Sequence, residues 1–485
     1  MHMAKDRTED SSSASSWRLR QLSLQVTASL VGAAGTMRGG QKSDSAARVQ
    51  ACGAVGPPQK RLALVTTEIR RRSHGQHMGD RFLHGYPKAG RWHRPAFRTV
   101  SIYVDQQNPG SLAAQRAEAF DAEIYDTIAD ALCCGKETLA VDAVLIIGEH
   151  GEYMDNEFGQ KMYPRYEFFM AVVDVFRRCG RVVPVFSDKH LSYDWSKAVE
   201  MVEVARELGI PFAAGSSLPC AWRMPAVDMP WGAAITEVMS VSSGGVDSGD
   251  IHALESIQCM VERRAGGETG VASIQVLQGD AFWAAHAAGS WEAGGWDLEL
   301  FESCLSRSQQ LVQWEPLGDH GQEKGSAAGA GAVGGASLYN QIYPTYAEIR
   351  SSCEEPTAYK ITYCDGTRSS MLLMNGLVND NNFAARLPDY DAILSTNFHL
   401  DHIAEMPYRN TQYSSLLMSN AEEMFESGVA HRPIERTLLT TGMVAVACRA
   451  LHEGGDVLKP TPHLAEIKYS VGQEQLWGGR DEPIF

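Results

Sequence analysis

Four short stretches of this chain concentrate side chains that carry charge, exchange protons or hydrogen-bond a ligand. They are Arg70-Arg71-Arg72-Ser73-His74 with His77, Glu149-His150 with Glu152, Asp188-Lys189-His190, and Ser216-Ser217. A lysine held beside a carbonyl or hydroxyl polarises it, and a histidine takes or gives a proton with a pKa already close to the working range. Guanidinium groups in a row meet phosphate by charge and by paired hydrogen bonds. Histidine and carboxylate together, as in His150, Asp188 and His190, are also the N/O donors a divalent cation takes. Taken singly, each of these residues is equally what a solvated loop carries.

The elements that must position them are legible from the apolar pattern. Leu62–Thr66, Thr99–Val104, Ala143–Ile147, Arg181–Phe186 and Ile210–Ala214 are short apolar runs of the kind buried parallel strands show. Between them lie helical stretches near Gly79–His84, Ser111–Phe120, Asp126–Leu132, Tyr166–Arg178 and Ser196–Leu208, the last closed by Gly209. Along Tyr166–Arg178 the apolar residues Phe168, Phe169, Val172, Val173 and Phe176 recur at helical spacing. Parallel strands need helical crossovers, so this alternation predicts an α/β fold with an N-terminal Rossmann-like, doubly wound parallel sheet over residues 61–217. In such a sheet ligands bind outside the carboxyl ends of the strands, and all four of these stretches follow strand ends.

After Ser217 the texture changes. Pro219, Pro225 and Pro230 mark a boundary. Ile235–Val241, Ala272–Gln278, Ala358–Tyr363 and Ser370–Leu373 predict strands of a large mixed or antiparallel sheet. Ala253–Arg263 and Ala421–Glu426 predict helices of a C-terminal α/β domain over residues 218–470, with a tail at 471–485. The Gly/Ala-rich insertion 321–337, with GSAAGAGAVGGAS at Gly325–Ser337, offers nothing to bury and predicts a flexible surface segment. His399-Leu400-Asp401-His402 has metal-like residues but lacks the first histidine of a His-x-His-x-Asp-His pattern, and reads as a surface loop.

Composition removes several classes of function. The 485 residues carry a net charge of −16, with +4 in residues 1–60 and −20 in the remainder, so the body repels phosphate backbones and anionic lipid. Neither nucleic acid nor membrane is an expected partner; a small molecule is. No apolar run approaches the ~20 residues of a membrane helix. Ten cysteines show no Cys-x-x-Cys, which predicts free buried thiols in a reducing compartment. Residues 1–60 hold nine Ser and nine Ala, with no acid from Ser11 to Ser43. That composition fits a transit peptide or a disordered extension, and leaves localisation open between cytoplasm and organelle.

The run RVVPVFSDKHLSYDWSKAVEMVEVARELGIPFAAGSS (Arg181–Ser217) resembles the glucose–fructose oxidoreductase/inositol dehydrogenase (Gfo/Idh/MocA) family, with its strand, Glu-Lys-Pro signature, helix and strand ending in small residues. IYDTIADALCCGKETLAVDAVLIIGEHGEY (Ile124–Tyr153), GGVDSGDIHALESIQCM (Gly244–Met260) and the closing RPIERTLLTTGMVAVACRALHEGGDVLKPTPHL are similar to further segments of that family. The resemblance implies a hydride-transferring oxidoreductase. It would use NAD or NADP on a sugar, polyol or related hydroxy compound, and be a homo-oligomer built through the large sheet. It places the signature lysine at Lys189 and the family's acid–base histidine at His252. The family's aspartate four residues earlier falls on Ser248, so Asp247 or Asp250 would take its place. Arg70, Arg71, Ser73, His74, Asp105, Glu149, His150 and Asp188 would line the cofactor, with Asp105 toward the ribose. The chain departs from the family in having no Gly-x-Gly-x-x-Gly after the first strand, and Asp188 and His190 where the signature has Glu and Pro. These departures keep two alternatives open: a divalent-metal lyase, isomerase or hydrolase using His150, Asp188 and His190, and a non-catalytic binding protein.

Overall fold

The structure, a computed structural model, describes residues 59–88, 91–309, 311, 344–353, 355–399 and 412–472. The N-terminal extension up to residue 58, the insertion 321–337, residues 400–402 of the His399 cluster and the tail beyond 472 lie outside the described residues.

The first half alternates strand and helix. In chain order it runs β1 (Lys60–Thr66), α1 (His74–Leu83), a hairpin β2 (Tyr86–Lys88) and β3 (Arg91–His93), β4 (Phe97–Val104), α2 (Ala113–Phe120) and β5 (Glu123–Tyr125). It continues with α3 (Ile128–Cys133), β6 (Ala143–Ile147), α4 (Arg165–Cys179), β7 (Val185–Asp188), α5 (Trp195–Leu208) and β8 (Phe212–Gly215). Six of these strands form one parallel sheet in the order β5-β4-β1-β6-β7-β8. Counting them along the chain, that is 3-2-1-4-5-6, the strand order of the dinucleotide-binding doubly wound fold. The order reverses between β1 and β6, and a crevice opens there at the carboxyl ends.

Both faces of this sheet are apolar because both are covered. On β1, Leu62 and Leu64 face Met78 and Phe82 of α1, whereas Ala63 and Val65 face Phe168 and Val172 of α4 and Met201 of α5. The predicted strand Arg181–Phe186 begins only at Val185, and the helix expected near Gly79 begins at His74, where Ser73 caps it. The hairpin was not anticipated, since three-residue strands leave almost no alternation to detect.

The second half adds β9 (Trp222–Met224), β10 (Glu237–Ser242), α6 (Asp250–Val261), β11 (Val271–Gln278), α7 (Gly279–Ala288), α8 (Leu298–Leu305) and α9 (Tyr346–Ser352). Then come β12 (Thr357–Tyr363), β13 (Arg368–Leu373), β14 (Asn381–Leu387), β15 (Ala392–His399), α10 (Gln412–Ser427), α11 (Ile434–His452), β16 (Lys459–Pro460) and α12 (Pro462–Ala465). Eight strands make a mixed sheet ordered β16-β11-β12-β13-β10-β14-β15-β9, with β10 and β13 parallel and the other pairs antiparallel. The four strands read from the sequence are present. β14 and β15 escaped it, because Asn381-Asn382 and Ser395-Thr396-Asn397 interrupt their apolar pattern.

One face of this sheet packs on α6 and α11 through Ile274, Tyr359, Met371 and Phe383. The other face, through which the resemblance implies subunit contact, is covered in this chain by α7 and α8, with Phe282, Trp296 and Phe301 over Met239 and Leu372. The boundary at Ser217 is crossed by helix α10. Its Leu417, Met418, Met424 and Phe425 belong to the same core as Leu62, Phe82 and Phe97. No helix among the described residues is long and apolar enough to cross a membrane.

Candidate active site

Strand β1 ends at Thr66, and the turn that follows is drawn in on itself. Ser73 Oγ accepts N–H bonds from Arg70 and Gln76, both at 3.1 Å, and Arg72, with φ 69°, donates its N–H to Gln76 Oε1. These amides are spent within the turn. Gly75 shows why α1 lies so close to the strand end: a Cβ there would stand 2.2 Å from the Glu68 carbonyl oxygen and 2.5 Å from Thr66 Oγ1. Buried Glu68 is matched by Arg70, whose Nε lies 2.5 Å from its Oε1.

His74, the first residue of α1, faces β7. Its Nδ1 is 2.5 Å from Asp188 Oδ2, and its backbone N–H donates to His150 Nδ1 at 3.4 Å. The His74 ring stands edge-on to those of His77 and His150 at 4.9 and 5.0 Å. Burial, and then the neighbouring His74, push the His150 imidazole down to about 4, so it is neutral at physiological pH. Asp105, beyond the end of β4, is exposed and accepts hydroxyl hydrogens from Tyr103 at 2.9 Å and Tyr153 at 2.6 Å.

Beyond the end of β6 a buried ion cluster forms. Lys189 Nζ donates to Glu149 Oε1 at 2.7 Å, and Arg165, 0% exposed at the start of α4, donates to the other oxygen. Burial alone would push the Glu149 carboxyl up; Lys189 and Arg165 reverse this and hold it well below the usual carboxylate range. Arg165 also donates to His190 Nε2 at 3.1 Å. A guanidinium accepts no hydrogen bond, so Nε2 is the acceptor and the proton sits on Nδ1. Burial first, and then Arg165, keep His190 neutral.

The second half closes the site from above. Gly244 and Gly249 meet so closely that a Cβ on Gly249 would lie 2.5 Å from the Gly244 Cα, which pinches the loop that presents Asp247 and Ser248. Lys189 Nζ lies 3.4 Å from the Ser248 carbonyl oxygen, to which it donates. Asp247 accepts from the Lys161 N–H at 2.9 Å and from Gln160 Nε2 at 3.2 Å; burial pushes its carboxyl up. One turn on from Ser248, His252 Nδ1 is 2.5 Å from Ser216 Oγ beyond the end of β8. Asp250 is elsewhere: wholly buried, it accepts the Tyr359 hydroxyl hydrogen at 2.9 Å under the second sheet, and burial pushes it up to about 7.

Residues expected from the sequence thus fall into three groups. Ser73, His74, Glu149, His150, Asp188, Lys189, His190 and Asp247 meet at the switch-point crevice, and His252 joins them through Ser216. Arg70, Arg71 and Asp105 stand exposed on its rim. Asp250 is turned away from it. The divalent-metal set does not assemble: Asp188 is engaged by His74, His150 by the His74 amide, and His190 faces a guanidinium that would repel a cation. Among the described residues no group of three or more His, Cys, Asp or Glu is arranged to hold a metal ion.

Two residues had no expectation attached. Arg165 lies just ahead of the predicted helix, 16 residues from its partner Glu149, with no local signal of its own. Tyr359 sits in a strand read only as apolar. A backbone signal also marks the crevice. Of eight non-glycine residues with positive φ among those described, Arg72, His150, Lys189 and Asp247 are here. Such conformations are costly for residues with a Cβ and gather where geometry is imposed by function.

No family model and no curated protein matches the sequence. Among solved structures, the chain is similar to myo-inositol dehydrogenase from Lactobacillus casei in complex with NAD(H) and myo-inositol. The TM-score is 0.49 at 10% identity, over 86% of this chain and 99% of that one. It is similar also to myo-inositol 2-dehydrogenase from Lactobacillus plantarum, with a TM-score of 0.47 at 9% identity over 83% of this chain and 99% of that one. A third likeness is to biliverdin reductase from Synechocystis sp. PCC 6803 in complex with biliverdin and NADP+, with a TM-score of 0.42 at 10% identity over 81% of this chain and 98% of that one.

Proposed function

We propose that this protein is an oxidoreductase that moves a hydride between a nicotinamide dinucleotide and a hydroxyl-bearing small molecule of the sugar or polyol class. The observation that carries this is a meeting of parts. At the switch point of a 3-2-1-4-5-6 parallel sheet, Lys189 reaches from the β7 end to the loop that leads into the helix bearing His252.

The residues present fit such a cofactor in one respect and differ in another. Three carboxylates of the crevice are matched by a cation: Glu68 by Arg70, Glu149 by both Lys189 and Arg165, Asp188 by His74 when protonated. The fourth, Asp247, is held instead by the Lys161 N–H and the Gln160 amide. The first three acids therefore do not bar a diphosphate, and the surplus charge at Glu149 is positive. The glycine amides that receive phosphate elsewhere are replaced by a turn whose amides are largely spent, so side chains must take that role.

A bound nicotinamide ring would supply the hydride acceptor or donor. This chain would do the rest. Glu149 keeps Lys189 charged and placed, so that its ammonium can donate to the oxygen of the reacting carbon and stabilise developing negative charge there. His252, oriented by Ser216, is the group suited to take the hydroxyl proton as the carbon is oxidised and to return it in the reverse direction. Asp247, buried beside His190, shapes the floor. Arg70, Arg71 and Asp105 on the rim would meet the nucleotide half.

The test is calorimetric titration of the protein with NAD(H) and NADP(H), followed by turnover assays with inositols and aldoses. Binding with a dissociation constant in the micromolar range is expected. No binding of either dinucleotide at millimolar concentration would remove the redox function.

A further inference from the structure

The Asp188–His74 pair is not explained by folding or by the roles given above. Asp188 keeps 2% of its side chain exposed and His74 14%, and they meet at 2.5 Å between the ends of β1, β6 and β7. Taking such a pair out of water is costly unless something else repays it. The buried carboxylate fixes Nδ1 as the nitrogen that carries the shared proton, which leaves Nε2 facing away from it. Among the described residues Nε2 makes no hydrogen bond, although its neighbours on every side are engaged.

The charged and titratable groups around it are few. From the β7 end come Asp188 and Lys189, and from the β6 end Glu149 and neutral His150. The β1 turn brings the Glu68–Arg70 pair, and α1 itself brings His77, whose Nδ1 is 2.6 Å from Ser414 Oγ. Glu149 is outnumbered by Lys189 and Arg165, and Glu68 is matched by Arg70. Asp188 is thus the one carboxylate of this set whose cation partner is His74, and protonating His74 completes the balance.

We propose that His74, oriented by Asp188, receives the diphosphate of the dinucleotide, its Nε2–H donating to a phosphoryl oxygen in place of the missing glycine amides. The proposal rests on the nicotinamide function above and adds to it a residue and a consequence. An imidazolium donor to phosphate is a charge-assisted hydrogen bond, stronger than a neutral amide's. It exists only while the ring is protonated. Dinucleotide binding should therefore take up a proton when it starts from neutral His74, and weaken as pH rises. A phosphate site made of glycine amides has no such dependence.

The experiment is calorimetry on the full chain from pH 6 to 9, in buffers of different ionisation heats, with NAD+ and separately with ADP-ribose, which carries the diphosphate without nicotinamide. The wild-type protein is expected to bind both, to take up a fraction of a proton, and to lose affinity as pH rises, by at most about tenfold per pH unit for one linked proton. H74Q should keep its fold by circular dichroism, lose about 10- to 100-fold in affinity at pH 6, and show no pH dependence. D188N, which removes the carboxylate that orients the ring, should also weaken binding of both ligands at pH 6. If H74Q binds both ligands like wild type, with the same proton uptake, the assignment of His74 is wrong and the redox function stands. If ADP-ribose, NAD+ and, titrated in the same way, NADP+ all fail to bind the wild-type protein at millimolar concentration, the redox function fails and the assignment fails with it.

Discussion

Two aspartates three residues apart, Asp247 and Asp250, read alike in the sequence and are both buried, but face different partners: Asp247 meets Gln160 and Lys161 at the crevice, Asp250 meets Tyr359 under the second sheet. Asp250 has no solvent exposure and its carboxyl is pushed up to about 7 by burial. Its folded value lies above its unfolded one, so its contribution to stability is present below about pH 4 and is lost as pH rises to about 7. D250N removes that slope while leaving an acceptor for Tyr359. Unfolding free energies from urea titration should match wild type below pH 4 and exceed it above pH 7, by an amount on the order of 1 kcal/mol or more. Turnover should persist, since Asp250 does not face the crevice. Lys189 and His252 are the opposite case. K189A and H252A are expected to fold, because Glu149 keeps Arg165 and Ser216 keeps its bond from the Leu218 amide. Turnover should fall by about two to four orders of magnitude, the usual range for a lost acid–base or polarising group. Folded variants with near-wild-type turnover on an identified substrate would move the chemistry to other residues.

At the scale of the element, α1 sets how closely anything can approach the end of β1. The helix lies against the strand because Gly75 has no side chain, and a methyl there would collide with the Glu68 carbonyl at 2.2 Å and with Thr66 Oγ1 at 2.5 Å. The first atom is backbone, and the second is held by the bonds of the buried Thr66 hydroxyl to the Glu68 and Ile147 carbonyls. G75A must therefore tilt or shift α1, and overpacking of this kind costs about 1–3 kcal/mol. The shift also carries His74 away from Asp188, so dinucleotide affinity should fall together with the thermal midpoint. A substitution at Gly110, where a Cβ would meet nothing within 4 Å, controls for the loss of a glycine as such, although its φ of 89° adds strain of its own. A thermal midpoint for G75A equal to wild type would show that the helix does not rest on the strand as described. The sequence offered only a helix near Gly79–His84, since the capping residue Ser73 and two polar residues, His74 and Gln76, hid its first turn.

At the scale of the whole molecule, the division at Ser217 is a boundary of topology and not of packing. The face of the parallel sheet bearing Leu62, Leu64 and Phe97 is completed by Leu417, Met418 and Phe425 of α10, with Phe425 5.8 Å from the Phe82 ring and 5.5 Å from that of Phe97. Tyr86 on the hairpin donates its hydroxyl hydrogen to Glu422 of the same helix at 2.5 Å. A fragment of residues 59–217 would expose this surface. It is expected to aggregate or to lack a cooperative thermal transition, whereas the full chain melts cooperatively. Analytical ultracentrifugation and calorimetry on the two would decide, and a monomeric, cooperatively melting fragment would contradict the shared core.

The sequence by itself determined the alternation of strand and helix, and with it the doubly wound sheet and the ends where its charged residues would gather. Those features rest on periodicity within ten or fifteen residues, which apolar patterning records directly. It also offered Glu149, Asp188 and Lys189 as candidates, because they follow strand ends placed by that periodicity, whereas His252 was offered only by the family resemblance of its segment. Tertiary structure alone decided which of them meet. Glu149 finds Arg165 and Lys189, 16 and 40 residues away, and Asp188 finds His74 across 114. It decided too that Asp250 turns from the crevice while Asp247 stays, and that α10 returns to the first sheet. Pairings of this range are made by close packing between elements, and neither residue of a pair carries a local mark of its partner.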